Sequence, residues 1–254
     1  MLNWRPTLAF LLTVAFIVRG AASPPVPTPD NPSSLHYKAV LAAGDWSSPA
    51  FDHATEAVRD WLLARQVASD DIQRLSASRA VIAHDGLRPA SLDHVLSAIE
   101  HLHPAPGQAC FVFATSHGAY QDGLVLVPSE NFLTPAALNT ALNDGCGNAP
   151  TVVIISGCFS GSFTKAPMAR ENRIVLTAAR EDRPSFGCGT GSRYTFYDRC
   201  FLRAIDRSAN WRAAYDTIRA CVSARENALH FQPSEPQAWF GEAVRDLPLS
   251  GLPS

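Results

Sequence analysis

Two residues of reactive type stand where apolar runs end. The stretch Cys-Phe-Val-Phe-Ala-Thr-Ser leads directly into His117-Gly118, and Thr-Val-Val-Ile-Ile-Ser-Gly leads directly into Cys158. An imidazole and a thiol work together when the ring takes the sulfur's proton and later returns one to a departing amine. The chemistry implied is acyl transfer through a thioester on Cys158. Gly118 belongs to the same constellation, because a residue without a side chain lets its N–H face a developing oxyanion, with the Cys158 N–H as a second donor. Gly157 and Gly161 let the chain turn sharply around the thiol. A cysteine after a strand is by itself more often structural than catalytic. Two such strand-end signals in this order outweigh that base rate.

The elements that must position this pair follow from the hydrophobic pattern. Apolar runs at residues 38–43, 109–115, 151–156 and 173–178 predict buried parallel strands rather than half-solvated alternating ones, with a weaker strand at 72–77. Between them, Ala54, Ala57, Val58, Trp61 and Leu62 form one helical stripe, and Leu92, Val95, Leu96, Ile99 and Leu102 another, capped by Ser91. Thr134-Pro135 opens a third helix that Gly145 is placed to end. Strand and helix in alternation give an α/β fold, a mostly parallel sheet covered on both faces, with chemistry at the carboxyl ends of its strands. The tail from Gln232, with Pro233 and Pro236, reads as irregular chain wrapping the domain.

Composition narrows the function classes. With 46% hydrophobic and 17% charged residues the chain is globular, and a net charge of −2 without any run of Lys or Arg leaves no footprint for nucleic acid. No cofactor is called for: Gly187-Cys188-Gly189-Thr190-Gly191 neither follows a clear strand nor opens a helix, so it is no nucleotide loop. No metal is expected either, because no two cysteines form a C-x-x-C pair and His101-x-His103 is isolated. Ser-Gly-Cys-Phe-Ser-Gly lacks the G-x-S-x-G elbow of a serine hydrolase.

Arg5, the apolar run 8–18 and Ala21-Ala22-Ser23 read as a signal peptide over residues 1–22, too short for the roughly 20 apolar residues of a membrane span. Arg19 keeps an uncleaved anchor as the alternative. Residues 23–34 form a Pro-rich spacer, and 35–254 the folded domain. The implied location is periplasmic or secreted, without stable membrane insertion. Six cysteines suit that compartment and allow one or two disulfides. If Cys158 stays free, at least one other cysteine is unpaired. Cys221, beside the apolar stripe Trp211, Tyr215, Ile218 and Val222, is the expected one, and Cys188 with Cys200 the first pair to test.

Beyond these signals the sequence resembles the legumain-type cysteine peptidases, which share a caspase-like fold with the catalytic subunit of the GPI-anchor transamidase. The resemblance rests on Thr115-Ser116-His117-Gly118 followed by Gly-Leu-Val-Leu-Val-Pro, on residues 156–163, and on Thr177-Ala178-Ala179 leading to Ser185-Phe186-Gly187-Cys188. It implies a caspase-like three-layer α/β/α sandwich and a peptide or protein substrate. It also implies a His117–Cys158 dyad with Gly118 in the oxyanion hole and Ser185 on the substrate side. An ending similar to Pro233-Ser234-Glu235-Pro236-Gln237 occurs in bacterial members, which implies a bacterial exported form.

The resemblance also sets expectations for specificity. Legumains read asparagine with an arginine and acidic groups. Here Asp52 falls on the arginine and Ser156 on one of the acids, while Arg199, or Asp198 after a one-residue shift, falls on the other. An exchanged charge pair of Arg199 and Asp52 predicts a small polar or acidic preference without strict asparagine selection. Two other readings of the chain remain at this level. A transpeptidase or ligase would use the same dyad with an amine resolving the thioester, and a non-catalytic caspase-like binding module would keep only the scaffold.

Overall fold

The computed structural model describes residues 1–2, 36–189 and 191–249, so the expected leader and spacer lie, Met1 and Leu2 apart, outside the described residues. The chain runs β1 (His36–Ala43), α1 (Pro49–Leu63), β2 (Ile72–Ser76), α2 (Arg79–Asp85), β3 (Arg88–Pro89), α3 (Leu92–Glu100), β4 (Gln108–Thr115). A small hairpin sheet follows, of β5 (Gly118–Ala119), β6 (Gly123–Leu126) and β7 (Asn131–Leu133). Then come α4 (Pro135–Cys146), β8 (Thr151–Ser156), β9 (Arg173–Thr177), α5 (Phe196–Ile205), α6 (Trp211–Ala228) and β10 (Gln237–Phe240).

Seven strands form the main sheet in the order β10-β9-β8-β4-β1-β2-β3, parallel throughout except for β10. The continuous apolar runs are explained by the period of two. Phe111 and Phe113 of β4 face one core with α1, α5 and α6, while Cys110, Val112 and Ala114 face the other with α3 and α4. Each large side chain so buried stabilises the fold by roughly 1.5–3 kcal/mol. Helix starts obey their caps, since the Ser48, Ser91 and Thr134 side chains accept from Ala50, His94 and Ala137 N–H respectively.

Three expectations are corrected. Gly145 lies inside α4 instead of ending it. A Cβ there would come 1.9 Å from the Ile99 carbonyl oxygen, so the glycine serves the close approach of α3, and Gly147 caps the helix. The tail is not wholly irregular, because Gln237–Phe240 pairs antiparallel with Arg173–Thr177 and closes that sheet edge. Cysteine pairing differs most. Cys110 on β4 bonds Cys146 on α4, and Cys200 on α5 bonds Cys221 on α6, leaving Cys158 and Cys188 free. Packing of α5 on α6 brings the Cys200 and Cys221 Cα atoms to 5.7 Å, well inside disulfide reach, whereas the Cys188 thiol turns toward His117.

Candidate active site

β4 and β8 are neighbours, with Thr115 level with Ser156, and the ladder continues one step further as Ser116 N–H donates to the Ser156 carbonyl at 3.0 Å. His117-Gly118 and Gly157-Cys158 therefore leave adjacent strands at the same carboxyl edge. A Cβ on Gly118 would lie 1.9 Å from the Cys158 carbonyl oxygen and 2.9 Å from its N. Only glycine permits this backbone contact. After Cys158 the chain turns through Phe159 in the left-handed region, φ 58° and ψ 13°, fixed by its N–H to the Arg183 carbonyl at 2.8 Å. Ser160 locks the next turn, its hydroxyl donating to the Gly157 carbonyl and accepting from Ala178 and Ala179 N–H.

Both reactive side chains are half-buried. The Cys158 Sγ lies 3.3 Å from the Ser185 N–H, 3.5 Å from the Ser185 carbonyl oxygen and 3.7 Å from its hydroxyl. The His117 imidazole packs edge-on against Phe51, with centroids 5.3 Å apart. Its Nε2 is 3.2 Å from the Ser47 hydroxyl, and its Nδ1 is 4.0 Å from the Cys188 Sγ. One loop thus touches both groups, through Ser185 on Cys158 and through Cys188 on His117. An arrangement of thiol, imidazole and adjacent backbone N–H groups is equipped for nucleophilic attack on a carbonyl.

Beneath the strand ends lies Asp198, fully buried, accepting from the Thr115 hydroxyl at 2.9 Å. Burial, partly offset by the hydroxyls of Ser156, Thr195 and Thr115, pushes its carboxyl up to about 6. Ser156 is buried against this group. Asp52 is also buried, 3.9 Å from Arg74, its Oδ1 without a hydrogen-bond partner. Burial pushes its carboxyl up, offset by the Ser76 hydroxyl and Arg74. It lines a cavity of about 540 Å³ together with Trp46, His53, Glu56 and Asp85. Arg199 sits apart from both, lining a cavity of about 510 Å³ between α5 and α6 with Arg203, Arg207 and Arg225. The structure thus brings together His117, Gly118, Cys158 and Ser185, puts Ser156 below and Asp52 to one side, and does not join Arg199 to Asp52. The helix explains the difference, since Asp198 and Arg199 point about 100° apart and only Asp198 faces the sheet.

Sequence reasoning missed Ser47 as a neighbour of the site, reached Asp198 only as the one-residue-shift alternative to Arg199, and took Cys188 for half of a disulfide. Ser47 follows the carboxyl end of β1, the same edge that carries His117 and Cys158, and that placement is the signal it offered. Among the described residues no group of three or more His, Cys, Asp or Glu side chains is arranged to hold a metal ion, and no helix is long and apolar enough to cross a membrane.

Caspase-1 from Spodoptera frugiperda has a similar fold, with a TM-score of 0.55 at 11% identity, over 87% of this chain and 94% of that one. No curated protein matches the sequence. The model of the Peptidase C13 family matches residues 93–246, a span that holds both His117 and Cys158. On that match the chain belongs to the peptidase C13 family, the legumain-type cysteine peptidases, built on a caspase-like α/β/α sandwich.

Proposed function

We propose that this cysteine endopeptidase cleaves peptide bonds with Cys158 as nucleophile and His117 as acid and base. The observation that carries the reading is the contact of Gly118 with the Cys158 backbone at neighbouring strand ends, which holds ring and thiol at one edge. His117 takes the thiol proton and the sulfur attacks the scissile carbonyl. The backbone N–H groups of Gly118 and Cys158 receive the oxyanion, and the imidazolium protonates the leaving amine. Water then resolves the thioester with His117 as base.

Ser185, in contact with the Cys158 sulfur, is the substrate-side residue with the most direct support. Asp52 and Ser156 shape recognition from the side and from below, Ser156 through Asp198. Arg199 lines cavities that Asp52 does not share and makes no ion pair with it, so the exchanged-pair specificity is not supported by placement. We further propose a folded unit over residues 35–254 and export by a leader over 1–22. The two disulfides suit an oxidising compartment.

The test is labelling with an electrophilic thiol probe alongside peptide hydrolysis. Cys158→Ala should abolish both while the protein stays folded, and His117→Ala should lower turnover by about 10²-fold or more. Wild-type turnover in Cys158→Ala would end the assignment.

A further inference from the structure

Four of the six cysteines are locked in disulfides, and the two left free both stand at the site. We propose that Cys188 is a resolving thiol, so that peroxide oxidation of Cys158 ends in a reversible Cys158–Cys188 disulfide that switches the enzyme off. This rests on Cys158 being the nucleophile.

The geometry ties both sulfurs to one loop, Cys158 through Ser185 and Cys188 beside the His117 ring. Cys188 Sγ lies 4.0 Å from His117 Nδ1, and Cys158 Sγ lies 3.3 Å from the N–H of Ser185, three residues before Cys188 on the same loop. Both thiols are half-buried, open to a small oxidant. Gly187 before Cys188 is held close, a Cβ there falling 2.5 Å from Phe196, but a Cβ on Gly189 after it would meet nothing within 4 Å, so the chain on that side has room to adjust to disulfide geometry. Burial and the neighbouring Cys158 push the Cys188 thiol up. Cys188 therefore waits as S–H, and the ring beside it is the base that can release it.

The chemistry closes in two steps. The Cys158 thiolate attacks one peroxide oxygen, the O–O bond breaks, and the departing hydroxide takes a proton to become water, leaving a sulfenic acid. The Cys188 sulfur then attacks the Cys158 sulfur. The S–S bond forms as the S–OH bond breaks, and the Cys188 proton passes through His117 to the leaving hydroxide, giving a second water. Peroxide is reduced and the two thiols are oxidised. Were Cys188 only a small apolar filler, Cys158 would instead continue to the sulfinic and sulfonic acids, which thiols do not reverse.

The experiment exposes the full chain, with its disulfides intact, to hydrogen peroxide and follows peptide hydrolysis and non-reducing peptide maps. The expected result is near-complete loss of hydrolysis, a cross-linked pair of peptides carrying Cys158 and Cys188, and recovery with a monothiol. In Cys188→Ser the same exposure should leave over-oxidised Cys158 and activity that no thiol restores. Recovery of Cys188→Ser as complete as that of the wild type, or an oxidised wild type with Cys188 still free, would overturn the proposal. A cross-link that forms while hydrolysis continues would overturn instead the nucleophile assignment, and the switch with it.

Discussion

The hydroxyl of Ser47 lies 3.2 Å from Nε2 of His117, while the other ring nitrogen, Nδ1, faces the Cys188 thiol. Accepting the Nε2 proton there would leave Nδ1 free to take a proton from sulfur and would support the imidazolium that results. Ser47 is itself tethered, its N–H donating to the Asp45 carboxylate at 2.6 Å. A single hydrogen bond of this kind contributes about 1 kcal/mol, so Ser47→Ala should lower kcat by up to about tenfold with KM little changed. Ser47→Thr should recover most of the loss. Equal rates in wild type and Ser47→Ala, across the pH profile, would remove Ser47 from any role in positioning the ring.

Gly118 tolerates no side chain. With a Cβ 1.9 Å from the Cys158 carbonyl oxygen, Gly118→Ala must push the two backbones apart and displace the oxyanion donors. A misplacement of about 1 Å costs on the order of 10²-fold in rate, and kcat/KM should fall by at least that. Steady-state kinetics on the folded variant decide the matter, and a loss of only a few-fold would mean that Gly118 is not at the oxyanion.

Asp198 gives stability a pH dependence of defined sign. Its folded-state value, raised to about 6, lies above that of an ordinary carboxyl, so the folded protein holds a proton that the unfolded chain has already released. This contribution is complete below about pH 4 and is lost as the pH rises through about 6, a total of about 3 kcal/mol. Asp198→Asn, which keeps an acceptor for the Thr115 hydroxyl, should therefore gain on the wild type over that range. Urea melts at intervals from about pH 4 to 7 measure the gap between the two proteins. A constant gap would show that the carboxyl does not titrate there.

The Cys200–Cys221 bridge ties α5 to α6 across a sequence separation of 21 residues. Closing a loop of that size stabilises by about 3 kcal/mol in the chain-entropy account. The double variant Cys200→Ser with Cys221→Ser should lose about that amount in chemical denaturation. Unchanged stability would place the bridge outside the cooperative unfolding unit.

Local pattern made the core of the sheet legible. β1, β4, β8 and β9 are buried on both faces, which turns each into a continuous apolar run, and Ser91 and Thr134 announce helix starts through caps that depend only on near neighbours. His117 and Cys158 were legible for the same reason, because in a parallel sheet the carboxyl end of a strand is already a location. Tertiary structure alone decided what depends on partners distant in sequence. β10 carries no strong signal of its own, and Gln237–Phe240 becomes a strand because β9 offers an open edge. The cysteines pair by the packing of α4 on β4 and of α5 on α6 rather than by spacing, so Cys188, placed near Cys200 in the sequence, meets His117 instead. Asp198 and Arg199 are adjacent in the chain, yet a helix separates their directions by about 100°, and which of them faces the sheet is fixed only when α5 docks on it.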